Sequence, residues 1–511
     1  MTFDQIAGSK RLFLGALVTL CLLLLAPLLV VDMPPLVDYP NHLARVTVLA
    51  ALPGDPVIAR FYATRWAVIP NLALDLIGPP LLRVLPVHVA GRVLIGMSVL
   101  MPVLGCVAYG AAQGRRSWWS LGVGLVAYNR TLLEGFLNFN MGIGLALLLA
   151  AAWTRWRRQY PTLMIVVAAL GAVALFVCHL MALLMFGVLI AADELVRIWS
   201  LGMRPRVVLA SGARLALIFA APLALYACSG LPGLGDDAIF LGAGAKLNQL
   251  LAAFMNYVGP LDALTALFAL AAPTLCLLLR RGHMRPPVRV AAVVMLGAYL
   301  AAPYGWKGTF QIDTRFAIML GVLLFAGFIP ARWPVWLRGG ATIVVVALLL
   351  ARMAVLTAAW SAHRADLADL RAALAPVRPG QAVYVVLARP DDPAAYQAHA
   401  PLSRHLSDGG YTGSHLAALA LIEHRAWWPY EFDNASQQPI RTLEPYQSMA
   451  LRVGDLPGQD GLASADLCGW DVVLVLQADA APPLPAGRFQ PLAGQGFARS
   501  YAIKSCQPPA P

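Results

Sequence analysis

Charge is what this sequence has little of: 13% of its 511 residues are Asp, Glu, Lys or Arg, while 59% are hydrophobic. A soluble protein carries about a quarter of its residues as charges, so the deficit excludes an ordinary soluble enzyme. The apolar content equally excludes disorder, which needs low hydrophobicity and high charge. The chain also lacks a Gly-rich phosphate loop closing on Lys-Ser/Thr, a Gly-x-Ser-x-Gly elbow and a Cys-x-x-Cys pair. The nucleotide, hydrolase and dithiol chemistries that those motifs carry are therefore not signalled. No internal repeat or low-complexity segment stands out.

What charge there is has a pattern. The formal net charge is +12. Residues 1–358 hold 27 Lys+Arg against 12 Asp+Glu, whereas residues 359–511 hold 11 against 14. The basic excess belongs entirely to the hydrophobic part, in short Arg clusters between apolar runs. A nucleic-acid binder spreads its cations over a polar surface with aromatic platforms; clusters between apolar runs mark membrane topology instead. No nucleic-acid partner is expected, and the lipid bilayer is.

A spanning helix needs about 20 mostly apolar residues. The first candidate, Leu12–Val31, has a basic start but is too long, and too poor in small residues at its end, for a cleaved signal peptide. Further candidates lie at 87–112, 117–134, 139–153, 162–178, 180–196, 207–227, 261–279, 288–303, 315–330 and 339–358. Basic clusters fall in every second connection: Arg115–Arg116, Arg155–Arg158, Arg197–Arg206, Arg280–Arg289 and Arg332–Arg338. The alternation predicts a mainly α, polytopic transmembrane bundle of about eleven spans, N-terminus cytoplasmic. Two outer connections, 32–86 and 229–260, are long enough to be functional.

Residues 359–511 read as a small α/β extracytoplasmic domain following the transmembrane domain 1–358. Trp360–Ala375 and Ser414–Arg425 have helical patterning; Gln381–Leu387, Asp471–Leu476 and Phe497–Lys504 are strand-like. Five of the seven cysteines lie in or beside the spans and behave there as small apolar residues. Cys468 and Cys506 are in the tail, where an oxidising compartment permits a disulfide and a reducing one leaves two thiols.

The ionisable residues collect at one level of the membrane. Asp32, Asp38, His42 and Arg45 follow the first span; Arg130, Glu134, Asn138 and Asn140 interrupt the apolar run near 117–153; His179 sits between two apolar helices. Asp236, Asp237, Lys246 and Asp262 belong to the second long connection, and Lys307, Asp313 and Arg315 to a third. Span interiors are nearly free of charge, unlike ion-coupled transporters, which place carboxylates near the midplane. The densest constellation is Asp38-Tyr39-Pro40-Asn41-His42-Leu43-Ala44-Arg45. Pro40 sets a helix start, and His42 and Arg45 then share a face. A carboxylate, an imidazole and a guanidinium there make an acid/base and phosphate-handling set. Capping and interfacial ion pairing is the alternative use of the same residues. Asp38 and His42 give a divalent metal two ligands, too few to define a site.

With these features the chain resembles the GT-C superfamily of integral membrane glycosyltransferases. The resemblance rests on the multi-span architecture, the long first outer loop with acidic residues, Val31-Asp32 through Arg45, and a C-terminal extracytoplasmic domain. It implies transfer of a sugar from a polyprenyl-phosphate donor to a glycan, lipid or protein acceptor, with an acidic residue of the first loop as base. By position that residue is Asp38, with Asp32 second; many members have adjacent acidic residues, whereas these two are six apart. No WWD-type motif is present; Trp427-Trp428-Pro429 is a superficial echo, and His424–Phe432 reads as aromatic packing.

The implied displacement inverts the anomeric carbon, with Arg45, Lys307 or Arg315 stabilising the leaving phosphate and His42 orienting acceptor or phosphate. Arg130 and Glu134, four apart on a helix, neutralise each other more readily than they bind substrate, and Asn138 lies close by. His179 suits packing or ligand contact equally. Lys307 also suits a snorkelling anchor. The expected setting is a bacterial inner membrane, in cell-envelope polysaccharide assembly. A lipid-linked-glycan flippase and a non-catalytic component of the assembly machine are the rival functions.

Overall fold

The computed structural model describes residues 9–114, 116–231, 237–451 and 456–507. Arg115 and Asp236, both named above, lie outside the described residues. Among the described residues, seven helices are long and apolar enough to cross a membrane: Lys10–Leu29, Val87–Ala112, Leu137–Trp156, Pro161–Cys178, Pro205–Cys228, Gly259–Leu278 and Val335–Leu374. The chain is an integral membrane protein, mainly helical. Inside hydrocarbon no water can satisfy the backbone, so helices that close every N–H and C=O internally are the available solution.

Proline marks several starts. Pro161, Pro205, Pro260 and Pro286 occupy the first turn of their helices, where a missing N–H leaves no bond unmade.

One expected span is corrected. The 117–134 stretch is not an α-helical crossing: Trp118–Val126 is a 3-10 helix, followed by the single turn Arg130–Leu133. Its Gly122 and Gly124 admit Phe325 and Leu20 at van der Waals contact. Asn129 ends the apolar run by capping the next turn, its side chain accepting from Leu132 N.

The chain divides into two compact units: Met1–Pro27, Ala67–Ala73 and Leu94–Leu356 form one, and Leu28–Trp66, Leu74–Val93 and Thr357–Pro511 the other. In the first, Leu137–Trp156 packs against Pro161–Cys178 and Leu180–Ser200, and Pro286–Ala301 against Ile312–Gly327. A Cβ at Gly105 would meet Gly144 O at 2.7 Å, and one at Gly144 would collide with the Met101 backbone. Small residues are how membrane helices approach closely without a hydrophobic drive.

The second unit contains a four-stranded sheet. Val383–Leu387 runs parallel to Val472–Leu476, which is antiparallel to Ala498–Ile503, which in turn is antiparallel to Phe489–Ala493. The three expected strands are present; the fourth, Phe489–Ala493, carries Pro491 and an exposed middle, which hid it, because edge strands tolerate proline and lack apolar alternation. Val472–Leu476 is buried throughout. Val386, Leu462, Leu467, Val473, Val475 and Tyr501 form the core over it. Cys468 and Cys506 are joined by a disulfide. Tyr62–Thr64 pairs antiparallel with Ile440–Thr442, a pairing the sequence did not signal.

Replacing Gly144 by Leu is expected to destabilise the first unit by about 1–3 kcal/mol or more, as overpacking does. The check is a lowered thermal midpoint of the detergent-solubilised protein; an unchanged midpoint would contradict the close approach.

Candidate functional site

In the second unit, the helix Tyr39–Ala51 begins where Pro40 was expected to start it, with Asp38 at the N-cap position. Asp38 makes no side-chain capping bond, so its carboxylate is not spent on the helix. It faces His415 instead, Oδ1 to Nε2 at 3.4 Å, with 21% of its side chain exposed. Three residues on, Asn41 is wholly buried. Its Nδ2 donates to Tyr430 O at 2.6 Å and lies 3.3 Å from His415 Nδ1, and its Oδ1 accepts from Phe432 N at 3.0 Å. The rings of Phe432 and Trp428 stand 5.1 and 6.0 Å from that of His415.

His42 and Arg45 share a face, as their spacing required. Arg45 is turned inward: Nε donates to Asp75 Oδ1 at 2.6 Å and Nη2 to Asp75 Oδ2 at 3.2 Å, with both side chains fully buried. Arg45 Nη1 lies 3.1 Å from His42 Nδ1. A guanidinium only donates, so His42 Nδ1 accepts and the ring is neutral. Burial first, then the charge of Arg45, hold the His42 pKa well below its ordinary value. The geometry thus gives Arg45 to Asp75 and His42, and it closes His42 Nδ1 to a metal ion.

Asp32 is held elsewhere in the unit. Arg371 donates to it at 2.7 Å and to Glu423 at 2.8 Å, and Glu423 meets His88 Nε2 at 2.7 Å. Burial opposes the charge on Glu423, but the His88 and Arg371 bonds overcome it and bring its pKa down to about 2. For Asp32, likewise, burial is outweighed by the bond and charge of Arg371, and its pKa is lowered. An anion so paired is a poor base, which leaves Asp38 as the less engaged carboxylate of the two.

Glu431 is a different case. It is buried, and no side chain hydrogen-bonds its carboxylate. Burial, with Asp433 and Asp75 adding repulsion against the pull of Arg45, raises its pKa well above the ordinary value. The environment of Glu431 thus favours its protonated form.

The remaining sequence-derived residues lie in the first unit. Arg130 pairs with Glu134 across one helical turn, and Gln311 donates to Glu134 Oε1 at 2.9 Å. Arg315 lies over the rings of Phe136 and Phe139, at 4.9 and 5.9 Å, and Phe139 packs edge-on to His179 at 5.3 Å. His179 caps Leu180–Ser200, its Nδ1 accepting from Met181 N at 3.1 Å. Asn138 donates to Asn71 O at 2.6 Å and to its Oδ1 at 2.9 Å. Lys307 donates to Leu231 O at 3.1 Å. Arg315 and His179 thus share Phe139, Arg130 pairs with Glu134, Asn138 is held to Asn71, and Lys307 to Leu231. Among the described residues, the one grouping with three metal-ligand types close together is Asp466, Cys468 and Cys506, and its sulfurs are consumed by the disulfide.

His415, Asn41, Asp75, Arg371, Glu423 and Glu431 were not singled out as site residues from the sequence. Asn41 stood inside the motif; the others carry no local signal.

No family model and no curated protein matches the chain. Among solved structures, it is similar to ArnT from Cupriavidus metallidurans, bound to undecaprenyl phosphate and in the apo state. Both comparisons give 13% identity and a TM-score of 0.46, covering 98% of this chain and 100% and 99% of the respective ArnT chains.

Two outcomes are expected. Asp75→Asn should cost about 3–5 kcal/mol by stranding the buried Arg45, read as a lowered unfolding midpoint. Glu431 stabilises most below the ordinary carboxyl value of 4.5, and that contribution is lost as pH rises through its raised pKa. Melting of the wild-type protein should therefore fall as pH rises above that ordinary value, and Glu431→Gln should flatten the fall; parallel profiles would contradict the raised pKa.

Proposed function

We propose that the protein is a membrane glycosyltransferase that moves a sugar from a polyprenyl-phosphate donor to an extracytoplasmic acceptor, with Asp38 as base. The observation that carries this reading is the Asp38–His415 pair at the head of Tyr39–Ala51: a carboxylate not used as a cap, partly exposed, and flanked by an imidazole. In the proposed step, Asp38 takes the proton of the acceptor hydroxyl as its oxygen attacks the sugar C1. The bond from C1 to the phosphate oxygen breaks with inversion, and polyprenyl phosphate leaves with the electron pair. Charge on a leaving phosphate is best met by fixed cations. Arg45, committed to Asp75, is not proposed for that part.

The resemblance in sequence architecture supports the donor class, and the charge-poor span interiors favour transfer over transport. The same reading puts the tail, 359–511, outside the cytoplasm, in keeping with its disulfide.

The test is transfer of label from a panel of polyprenyl-phosphate sugars in reconstituted membranes. Asp38→Asn should lower transfer about 10²–10⁴-fold, the range of a general base, with membrane expression unchanged. Retained transfer would remove Asp38 from the role. A wild-type protein inert toward every donor would favour the non-catalytic assembly component.

A further inference from the structure

Asn41 has a conformation that only one assignment of its amide satisfies. Tyr430 C=O can only accept and Phe432 N–H can only donate, so the atom 2.6 Å from the carbonyl is nitrogen and the atom 3.0 Å from the N–H is oxygen. The second hydrogen on Nδ2 is then left for His415 Nδ1, 3.3 Å away. That nitrogen must present a lone pair. A neutral imidazole with a lone pair on Nδ1 carries its proton on Nε2, and Nε2 is the atom facing Asp38.

We infer that Asn41 is a positioning residue that locks His415 as the neutral Nε2–H tautomer, so that Asp38 is oriented by a dipole and not neutralised by a cation. The inference rests on the reading of Asp38 as base and says how that base keeps its proton affinity. Protonating His415 would require a hydrogen on Nδ1 pointing at the amide hydrogens of Asn41. Asn41 cannot turn over to receive it, because its oxygen would then meet Tyr430 O and its nitrogen Phe432 N–H.

The other groups around His415 agree with a neutral ring. His42, one residue beyond Asn41, is itself neutral, with Arg45 on its Nδ1. Trp428 and Phe432 close the ring in with aromatic surface. Asp38 is the one carboxylate that contacts it among the described residues. A second cation directly against Asp38 would lower its basicity, since an opposite charge within a few ångströms favours the ionised carboxylate. The lock prevents that while still holding the carboxylate's direction, the role an orienting neighbour plays for any general base.

The experiment uses the full chain in membrane mimetic, labelled with nitrogen-15 histidine, with the His415 signals assigned by their loss in His415→Gln. The expected result at pH 7 is a protonated Nε2 and an unprotonated Nδ1; an imidazolium, or the opposite tautomer, overturns the inference. The pH profile of transfer gives the second readout. In Asn41→Leu, which frees Nδ1 to take a proton, its acidic limb should move to higher pH than in the wild type. His415→Gln, which offers Asp38 an uncharged N–H, should keep the acidic limb where the wild type has it. A limb unmoved in Asn41→Leu overturns the positioning role. Wild-type protein without any transfer would remove the reading of Asp38 as base, and the tautomer result would then stand or fall by the nitrogen signals alone.

Discussion

The arrangement of the second unit depends on one ion pair. Arg45 and Asp75 are both out of contact with solvent, and a buried charge left without its partner is costly enough to unfold a marginal protein. The pair therefore fixes Tyr39–Ala51 against Ala73–Leu82, in rotation as well as in depth. A Cβ at Gly78 would run into the Val46 side chain, so the two helices meet closely on that face too. Once the face carrying Arg45 is inward, the first turn has no freedom left, and Asp38, Asn41 and His42 take the directions described. The pair's contribution is thus geometric more than energetic. A hydrophobic replacement of both partners could hold the fold as well, but it would not give His42 a donor on Nδ1.

The first unit is ordered by a different constraint. Its polar residues are spent where helices begin. Asn129 caps Arg130–Leu133, His179 caps Leu180–Ser200, and Asn138, in the first turn of Leu137–Trp156, reaches Asn71, whose backbone φ is 69°. Asparagine tolerates that left-handed conformation better than most residues, and its side chain and carbonyl both accept from Asn138. Deep in the first unit Arg352 meets Asp262 at 2.8 Å, both buried.

How much of this was legible in the sequence follows from the range of the signals. The apolar runs, Pro40 and its helix, the i, i+3 relation of His42 to Arg45 and the i, i+4 pairing of Arg130 with Glu134 are local, and each appears where its spacing put it. The 117–134 run was misread because its leucines and valines make an apolar run while the glycines among them have poor helix propensity. The partners of the site were out of reach. His415 approaches Asn41 across a sequence separation of 374, and Asp75 approaches Arg45 across 30 with only an apolar, Pro-containing helix around it. Nothing in His415-Leu416-Ala417 marks its histidine from His399 or His405. The amide that distinguishes it is supplied by Asn41, and the backbone groups that orient that amide belong to a third segment.

The sheet of the second unit has an order of assembly built into its strand sequence. Val472–Leu476 lies between Val383–Leu387 and Ala498–Ile503, and the parallel neighbour is separated from it by the whole segment that carries His415, Asn434 and Ile440–Thr442. During synthesis the first strand therefore waits unpaired while that segment emerges, and the central strand remains open on its other edge until Ala498–Ile503 follows. Such non-local pairing is slow, and exposed edges invite aggregation. The disulfide from Cys468 to Cys506, spanning 38 residues around the two later partners, turns the last of these events into a covalent one. The bond also closes Val472–Leu476, Phe489–Ala493 and Ala498–Ile503 into one covalent loop, which limits how far the unfolded segment can spread and so favours the folded sheet.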